Sequence, residues 1–87
     1  MQKALVSVTG VDKPGIIAKV STALFEMNIN VLEISQTILD GYFTMLMIVD
    51  MTGASVPFSA VTDKLNEVGG EMGEVINIQR TDIFDAM

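Results

Sequence analysis

The chain has 87 residues, 49% of them apolar, which suits one small core and is too apolar for a disordered segment. Eleven acidic residues against five basic ones give a formal charge of -6, which excludes direct binding to nucleic acid or an anionic membrane, since phosphate contacts need clustered Lys and Arg. With no Cys and no His there is no disulfide framework, no thiol nucleophile, no His or Cys metal ligation and no His acid–base chemistry, and no cofactor is expected.

Met1-Gln2-Lys3-Ala4-Leu5 enters a strand pattern at once. No signal-peptide apolar region precedes it, and no apolar run approaches the ~20 residues that span a bilayer, so a soluble cytoplasmic chain is expected. Residues 3–9 form the first strand, with Ala4, Val6 and Val8 alternating against Lys3, Ser7 and Thr9. The segment Thr9-Gly10-Val11-Asp12-Lys13-Pro14-Gly15-Ile16-Ile17 then turns into a helix expected over 14–27. Ile16, Ile17, Val20, Ala23, Leu24 and Met27 share one helical face. Pro14 suits the first helical position and pushes Lys13 out of the helical region, which makes Lys13 the cap position. The Asp12 carboxylate is placed to accept from the first-turn N–H groups.

Asn28-Ile29-Asn30-Val31 leads into the next strand. Val31–Leu39 and Tyr42–Asp50 flank Asp40-Gly41, a strong two-residue hairpin signal. Pairing Leu39 with Tyr42 places Leu32, Ile34, Gln36 and Ile38 opposite Val49, Met47, Met45 and Phe43 on a face expected to pack on helices. Glu33, Ser35, Thr37 and Leu39 face Ile48, Leu46, Thr44 and Tyr42 on the other side. Met45 and Met47 read as core residues, since no His or Cys accompanies them as metal ligands. After a Thr52-Gly53-Ala54-Ser55 loop, Phe58, Val61, Leu65, Val68 and Met72 recur at helical intervals, with Pro57 near the start and Gly69-Gly70 expected to weaken or end the helix. Residues 74–82 alternate as a fourth strand, and Ile83-Phe84-Asp85-Ala86-Met87 forms a short apolar tail.

The order β-α-β-β-α-β predicts an α+β fold, a ferredoxin-like sandwich with both helices on one face of an antiparallel sheet of strand order 4-1-3-2. Such a fold hosts many functions, so the residues must choose among them. An RNA-recognition module needs aromatics on its first strand, and this one has none. A copper chaperone needs paired Cys in the first loop. An acylphosphatase-like enzyme needs an arginine there, and the only arginine is Arg80, on the fourth strand.

Asp12-Lys13-Pro14-Gly15-Ile16-Ile17, the amphipathic helix and Asn28-Ile29-Asn30 together resemble the start of an ACT domain, the amino-acid-sensing module of metabolic regulation. The resemblance covers essentially the whole chain, 1–87, as a single ACT domain. Ile34-Ser35-Gln36-Thr37-Ile38-Leu39-Asp40 with Tyr42-Phe43-Thr44-Met45, and Ile76-Asn77-Ile78-Gln79 with Ile83-Phe84-Asp85-Ala86-Met87, are similar to a subgroup of small stand-alone ACT proteins. These are related to the regulatory protein of the glycine-cleavage system. The resemblance implies a ligand loop at Asp12, Lys13, Pro14, Gly15 and Ile16, a second contact at Asn30, and a non-catalytic protein regulating through a partner. Some amino-acid-sensing members carry Asn where this chain has Asp12.

Physical chemistry gives the same loop a meaning of its own. A zwitterion's carboxylate suits the exposed N–H groups and positive dipole end of a helix. Its ammonium suits a carboxylate such as Asp12 or an amide oxygen such as Asn30. Each residue also has a plainer use. Asp12 serves equally as a helix-start acceptor, Gly15 as a turn-maker, Asn30 as a turn residue and Lys13 as a solvated loop charge. Gln36, alone on an apolar face, reads as a locally bonded group near an oligomer seam. The acidic residues are scattered, so no carboxylate pair is assigned to catalysis.

Leu39, Tyr42, Leu46 and Ile48 make a contiguous apolar set on the outer sheet face, and the second strand is a sheet edge. Both features predict a homo-oligomer, at least a dimer. Asp12 and Asn30 are 18 residues apart, about 27 Å if all of it is helix. They are therefore expected to meet at one ligand only across a subunit boundary.

Overall fold

The computed structural model describes residues 2–81. The last residue of the expected fourth strand, Asp82, and the tail at 83–87 lie outside the described residues. The elements are β1 (Lys3–Val11), α1 (Ile16–Glu26), β2 (Asn30–Leu39), β3 (Tyr42–Asp50), α2 (Phe58–Met72) and β4 (Glu74–Arg80). They form one antiparallel sheet of order β2-β3-β1-β4, the expected 4-1-3-2 read from the other edge. Among the described residues no helix is long and apolar enough to cross a membrane.

Period-two alternation places the core. Ala4, Val6 and Val8 of β1, Phe43, Met45, Met47 and Val49 of β3, and Ile76 and Ile78 of β4 are all buried on one face. Ile16, Val20, Ala23 and Leu24 of α1 and Val61, Leu65 and Val68 of α2 close over them. Truncating such a side chain to Ala typically costs about 2–5 kcal/mol, so this layer holds the site in place.

Three local expectations change. First, α1 is 11 residues long and begins at Ile16, with Gly15 as its N-cap at φ 85° and no side chain capping it. Pro14 and Lys13 therefore precede the cap, and Asp12 does not bond the first turn. With a left-handed Gly15 as its cap, the helix starts two residues later than Pro14 would have started it.

Second, α2 runs through Gly69-Gly70 to Met72 and ends at Gly73, which has φ 69°. Gly69 is buried, and a Cβ there would stand 2.6 Å from the Glu74 carbonyl oxygen. That glycine serves close packing of α2 on β4 and does not break the helix.

Third, the β2–β3 register follows the Asp40-Gly41 turn as far as Glu33 opposite Ile48, then shifts, so that Val31 opposes Val49. Leu32 is the extra residue of this bulge, not the partner of Val49. The inner face of β2 also lacks the expected helix cover: Ile34 is 47% and Ile38 59% exposed. β2 is an edge strand, and past Val31 none of its residues packs into the core. An uncovered apolar edge results.

Candidate functional site

The loop between β1 and α1 is tied down on both sides. The Asp12 N–H donates to the Gly41 carbonyl in the β2–β3 turn over 3.3 Å. The Lys13 ammonium donates to the Met72 carbonyl at the end of α2 over 2.5 Å. Lys13 is thus a tether between loop and helix, not a free solvated charge. Gly15 then turns the chain, and apart from its own chain neighbours no atom lies within 4 Å of where its Cβ would stand. The space before the helix start is open.

The first backbone bond into α1 runs from the Lys19 N–H to the Gly15 carbonyl over 3.0 Å. The amides of Ile16, Ile17 and Ala18 therefore have no acceptor inside the helix. No acidic residue sits in the first turn either. A carboxylate placed here would gain both these donors and the positive end of the helix dipole.

Of these three residues, Ile16 and Ile17 line a cleft of about 380 Å³. Asp12, Lys13 and Gly15 line it from the loop, Ile16 and Ile17 from α1, Gln36, Thr37 and Ile38 from β2, and Phe43 from β3. One wall is the β2 edge that the helices leave bare. The arrangement offers amide donors for an anion, the Asp12 carboxylate and Gln36 amide for a cation or donor, and Ile38 with Phe43 for an apolar group.

Of the six residues expected at a ligand, Asp12, Lys13, Gly15 and Ile16 line this cleft. Pro14 belongs to the same loop without lining it. Asn30 does not come near: it opens β2 opposite Asp50, beyond the far end of α1. At 11 residues α1 is about 16 Å long, shorter than a fully helical connection but enough to separate the two. The neighbouring Asn28 does the turn work, at φ 58°, its Nδ2 donating to the Gly53 carbonyl over 2.7 Å.

Gln36 and Thr37 were not among the expected site residues. Their signal was present, since Gln36 is the single polar residue among Ile34, Gln36 and Ile38, on a strand already read as an edge. The other sheet face carries Leu39 at 74%, Tyr42 at 57% and Leu46 at 45% exposure, with Ile48 half-buried. Arg80 stands over the Phe58 ring, 5.6 Å from its centroid, far from the first loop where an acylphosphatase-like reaction would need it.

Among the described residues one charged side chain is buried. Glu74 is 6% exposed, and neither carboxylate oxygen has a hydrogen-bond partner. It lies on the helix-covered face in the row Phe43–Gly10–Glu74. A Cβ on Gly10 would stand 2.5 Å from the Glu74 carboxyl carbon, so the carboxyl occupies the room that Gly10 leaves. An ionised carboxylate in such surroundings costs several kcal/mol unless a counter-charge is close.

The ACT domain family model matches residues 2–79. A UPF0237 protein of Bifidobacterium longum is 49% identical over 87 residues, covering 100% of this chain and 97% of its own length. An ACT domain protein from Streptococcus pneumoniae superposes with a TM-score of 0.87 at 40% identity, covering 99% of this chain and 97% of that one. A putative glycine cleavage system transcriptional repressor has a TM-score of 0.77 at 22% identity over 92% of this chain and 46% of its own, a likeness of fold alone.

Proposed function

Because the chain belongs to the ACT domain family, we propose that it is a non-catalytic, cytoplasmic regulatory module that binds a small zwitterion, an amino acid, in the cleft at the start of α1. The observation carrying this reading is the uncapped start of α1, whose Ile16 and Ile17 line a cleft together with Asp12 and Gln36. The ligand carboxylate takes the amides, its ammonium takes Asp12 or Gln36, and its side chain lies toward Ile38 and Phe43. Nothing in this arrangement activates a nucleophile or pairs an acid with a base, so the output is a change in how the module contacts a protein partner.

The reading includes a homodimer. The bare β2 edge leaves the cleft open on one side, and a second copy laid there would close it and cover Ile34 and Ile38. In a two-fold dimer with antiparallel helices each cleft lies beside the partner's α1 end, which brings in Asn30 of the second copy.

Thermal-shift and calorimetric screening of the twenty amino acids tests the proposal, since a ligand that binds only the folded state raises its melting temperature. At least one amino acid should do so and should lose that effect in Asp12→Ala. Mixing Asp12→Ala with Asn30→Ala subunits should restore one intact site per heterodimer. No shift with any amino acid would leave the second reading, a dimerisation module whose exposed Ile34 and Ile38 are there for protein contact.

A further inference from the structure

At the end of the sheet opposite the cleft lies a second hollow, of about 410 Å³, between the start of β1, the loop before α2 and the end of β4. Ala54, Val56 and Phe58 line it, each partly buried and packed on the core. They give the hollow an apolar floor. The Arg80 guanidinium, 5.6 Å from the centroid of the Phe58 ring, stands over part of it. Lys3 lines the hollow as well, so two of the chain's five basic residues meet here. Among the described residues that line it, none is acidic.

The backbone around this hollow is already engaged. The Thr81 N–H donates to the Lys3 carbonyl over 3.1 Å, and the Met51 N–H to the Gln2 carbonyl over 2.6 Å. The Gln2 N–H donates to the Thr52 hydroxyl over 2.9 Å. A small zwitterion would find few donors left for its carboxylate, in contrast to the start of α1. A segment with apolar side chains and acidic neighbours would match both the floor and the two cations.

The chain carries such a segment where it leaves β4. Thr81 is fastened to the Lys3 carbonyl through its hydroxyl too, over 3.2 Å. Arg80 and Lys3 both line the hollow, so residue 82 departs from its margin. The sequence continues Asp82-Ile83-Phe84-Asp85-Ala86-Met87. Six residues reach about 20 Å when extended, more than a hollow of this volume requires.

We propose that the chain's own segment 82–87 docks in this hollow, with Ile83 and Phe84 against Ala54, Val56 and Phe58 and with Asp82 and Asp85 toward Lys3 and Arg80. Burial of the two large apolar side chains supplies the affinity. Ion pairs at an exposed rim add little and serve to orient the segment. The docked segment covers the apolar floor from the side that α2 leaves uncovered. This inference is independent of the amino-acid reading of the cleft.

The absence of Cys from the chain makes the test direct. Phe84→Cys is combined in turn with Ala54→Cys, Val56→Cys and Leu5→Cys in the full chain, and disulfide formation is timed on non-reducing gels. Leu5 is the control: it pairs with Gln79 of β4, within reach of an undocked segment, but does not line the hollow. Disulfides require Cβ atoms about 3.5–4.5 Å apart. At least one hollow pair should therefore close within one chain at least about tenfold faster than the Leu5 pair. Backbone relaxation of the unsubstituted protein supplies a second measurement. Residues 82–85 should show order parameters near those of β4, about 0.85. Phe84→Ser should raise the unfolded fraction at a fixed urea concentration about tenfold.

Equal crosslinking rates for all three pairs, or order parameters below about 0.6 across 82–85, would overturn the proposal. Disulfides that join two chains in place of one would overturn it as well, since the occupant would then be a neighbour's segment.

Discussion

The two ends of the sheet are finished in opposite ways. Where β2 begins, nearly every strand and loop end is bonded to another. Met51 donates to the Gln2 carbonyl over 2.6 Å, Ser55 to the Met27 carbonyl over 2.9 Å, and Thr81 to the Lys3 carbonyl over 3.1 Å. Gln2 donates to the Thr52 hydroxyl, Thr52 to the Asp50 carboxylate, and Asn28 to Gly53. Where α1 begins, the amides of its first turn have no intrahelical acceptor, Gly15 faces open space, and Glu74 carries two unpartnered oxygens. Saturated polar groups make a frame, whereas unsaturated ones beside a cleft are available to a ligand. On the function proposed above, the contrast makes the open end the one that takes the ligand, and it places Asn30 on the bonded end, where the proposal needs a second subunit to bring it in.

The largest effect should come from the open end. Gly15→Val puts a β-branched residue at φ 85°, which costs about 1–2 kcal/mol of stability and fills the space before the amides. Amino-acid binding should fall by at least about a hundredfold, equivalent to roughly 2.7 kcal/mol, while the melting curve stays cooperative. Calorimetry showing equal affinity for variant and parent would remove this loop from the site.

Assembly tests the other consequence of openness, the bare β2 edge. Ile38→Asp alters that edge, and Leu46→Asp alters the outer sheet face. Burying either residue in a subunit contact is worth about 1.5–3 kcal/mol, so the substitution at the face actually used should weaken self-association roughly ten- to a hundredfold. Sedimentation of both variants tells the two surfaces apart. An edge-paired dimer loses mass with Ile38→Asp and keeps it with Leu46→Asp, whereas a face-to-face dimer does the reverse. Monomeric wild type at high concentration would sink both arrangements.

At the bonded end the effect should be on stability alone. Asn28→Ala removes the bond to Gly53 and leaves Ala at φ 58°, a loss of about 2 kcal/mol from one hydrogen bond and one unfavourable backbone conformation. Urea unfolding should show it, and amino-acid affinity should not change. A weaker affinity with unchanged stability would mean that the two ends are not separate in function.

The fold was legible because its signals are short-range and redundant. The Asp40-Gly41 turn alone sets seven of the strand pairings from Leu39–Tyr42 to Glu33–Ile48, and the buried alternation of β1 and β3 follows from residue type. Exceptions arise where one residue overrides a periodic pattern. Leu32 bulges, Gly15 delays the helix, and Gly69 packs closely in place of ending α2. The lining of the cleft was half legible. Asp12, Lys13, Gly15 and Ile16 sit together in sequence, so a loop motif reveals them. Gln36 joins them only because β2 is left uncovered, a property of how wide two helices are relative to four strands. Glu74 gave no signal in an alternating strand, since its burial depends on Gly10 two elements away.

The smallest expected effect concerns Asp50, on the bonded end. Its pKa is lowered from the ordinary carboxylate value of 3.8, first by the Thr52 side-chain hydrogen bond and then by the Thr52 backbone N–H, with the N-terminus and Lys3 adding attraction. A carboxyl with a depressed folded pKa binds fewer protons when folded than when unfolded near its midpoint. It therefore contributes stability above the unfolded value, and that contribution is lost as pH falls through the folded value. Asp50 is only half-buried, so salt and water screen the effect and it should be slight. Urea midpoints of wild type and Asp50→Asn should differ modestly at pH 7 and converge as the pH falls well below the ordinary carboxylate value of 3.8. The bond that Thr52 donates is also what orients the loop under Gln2, so the same pair of curves asks whether the frame depends on that charge. A gap between the proteins that persists at low pH would assign the effect to hydrogen-bond geometry, with ionisation playing no part.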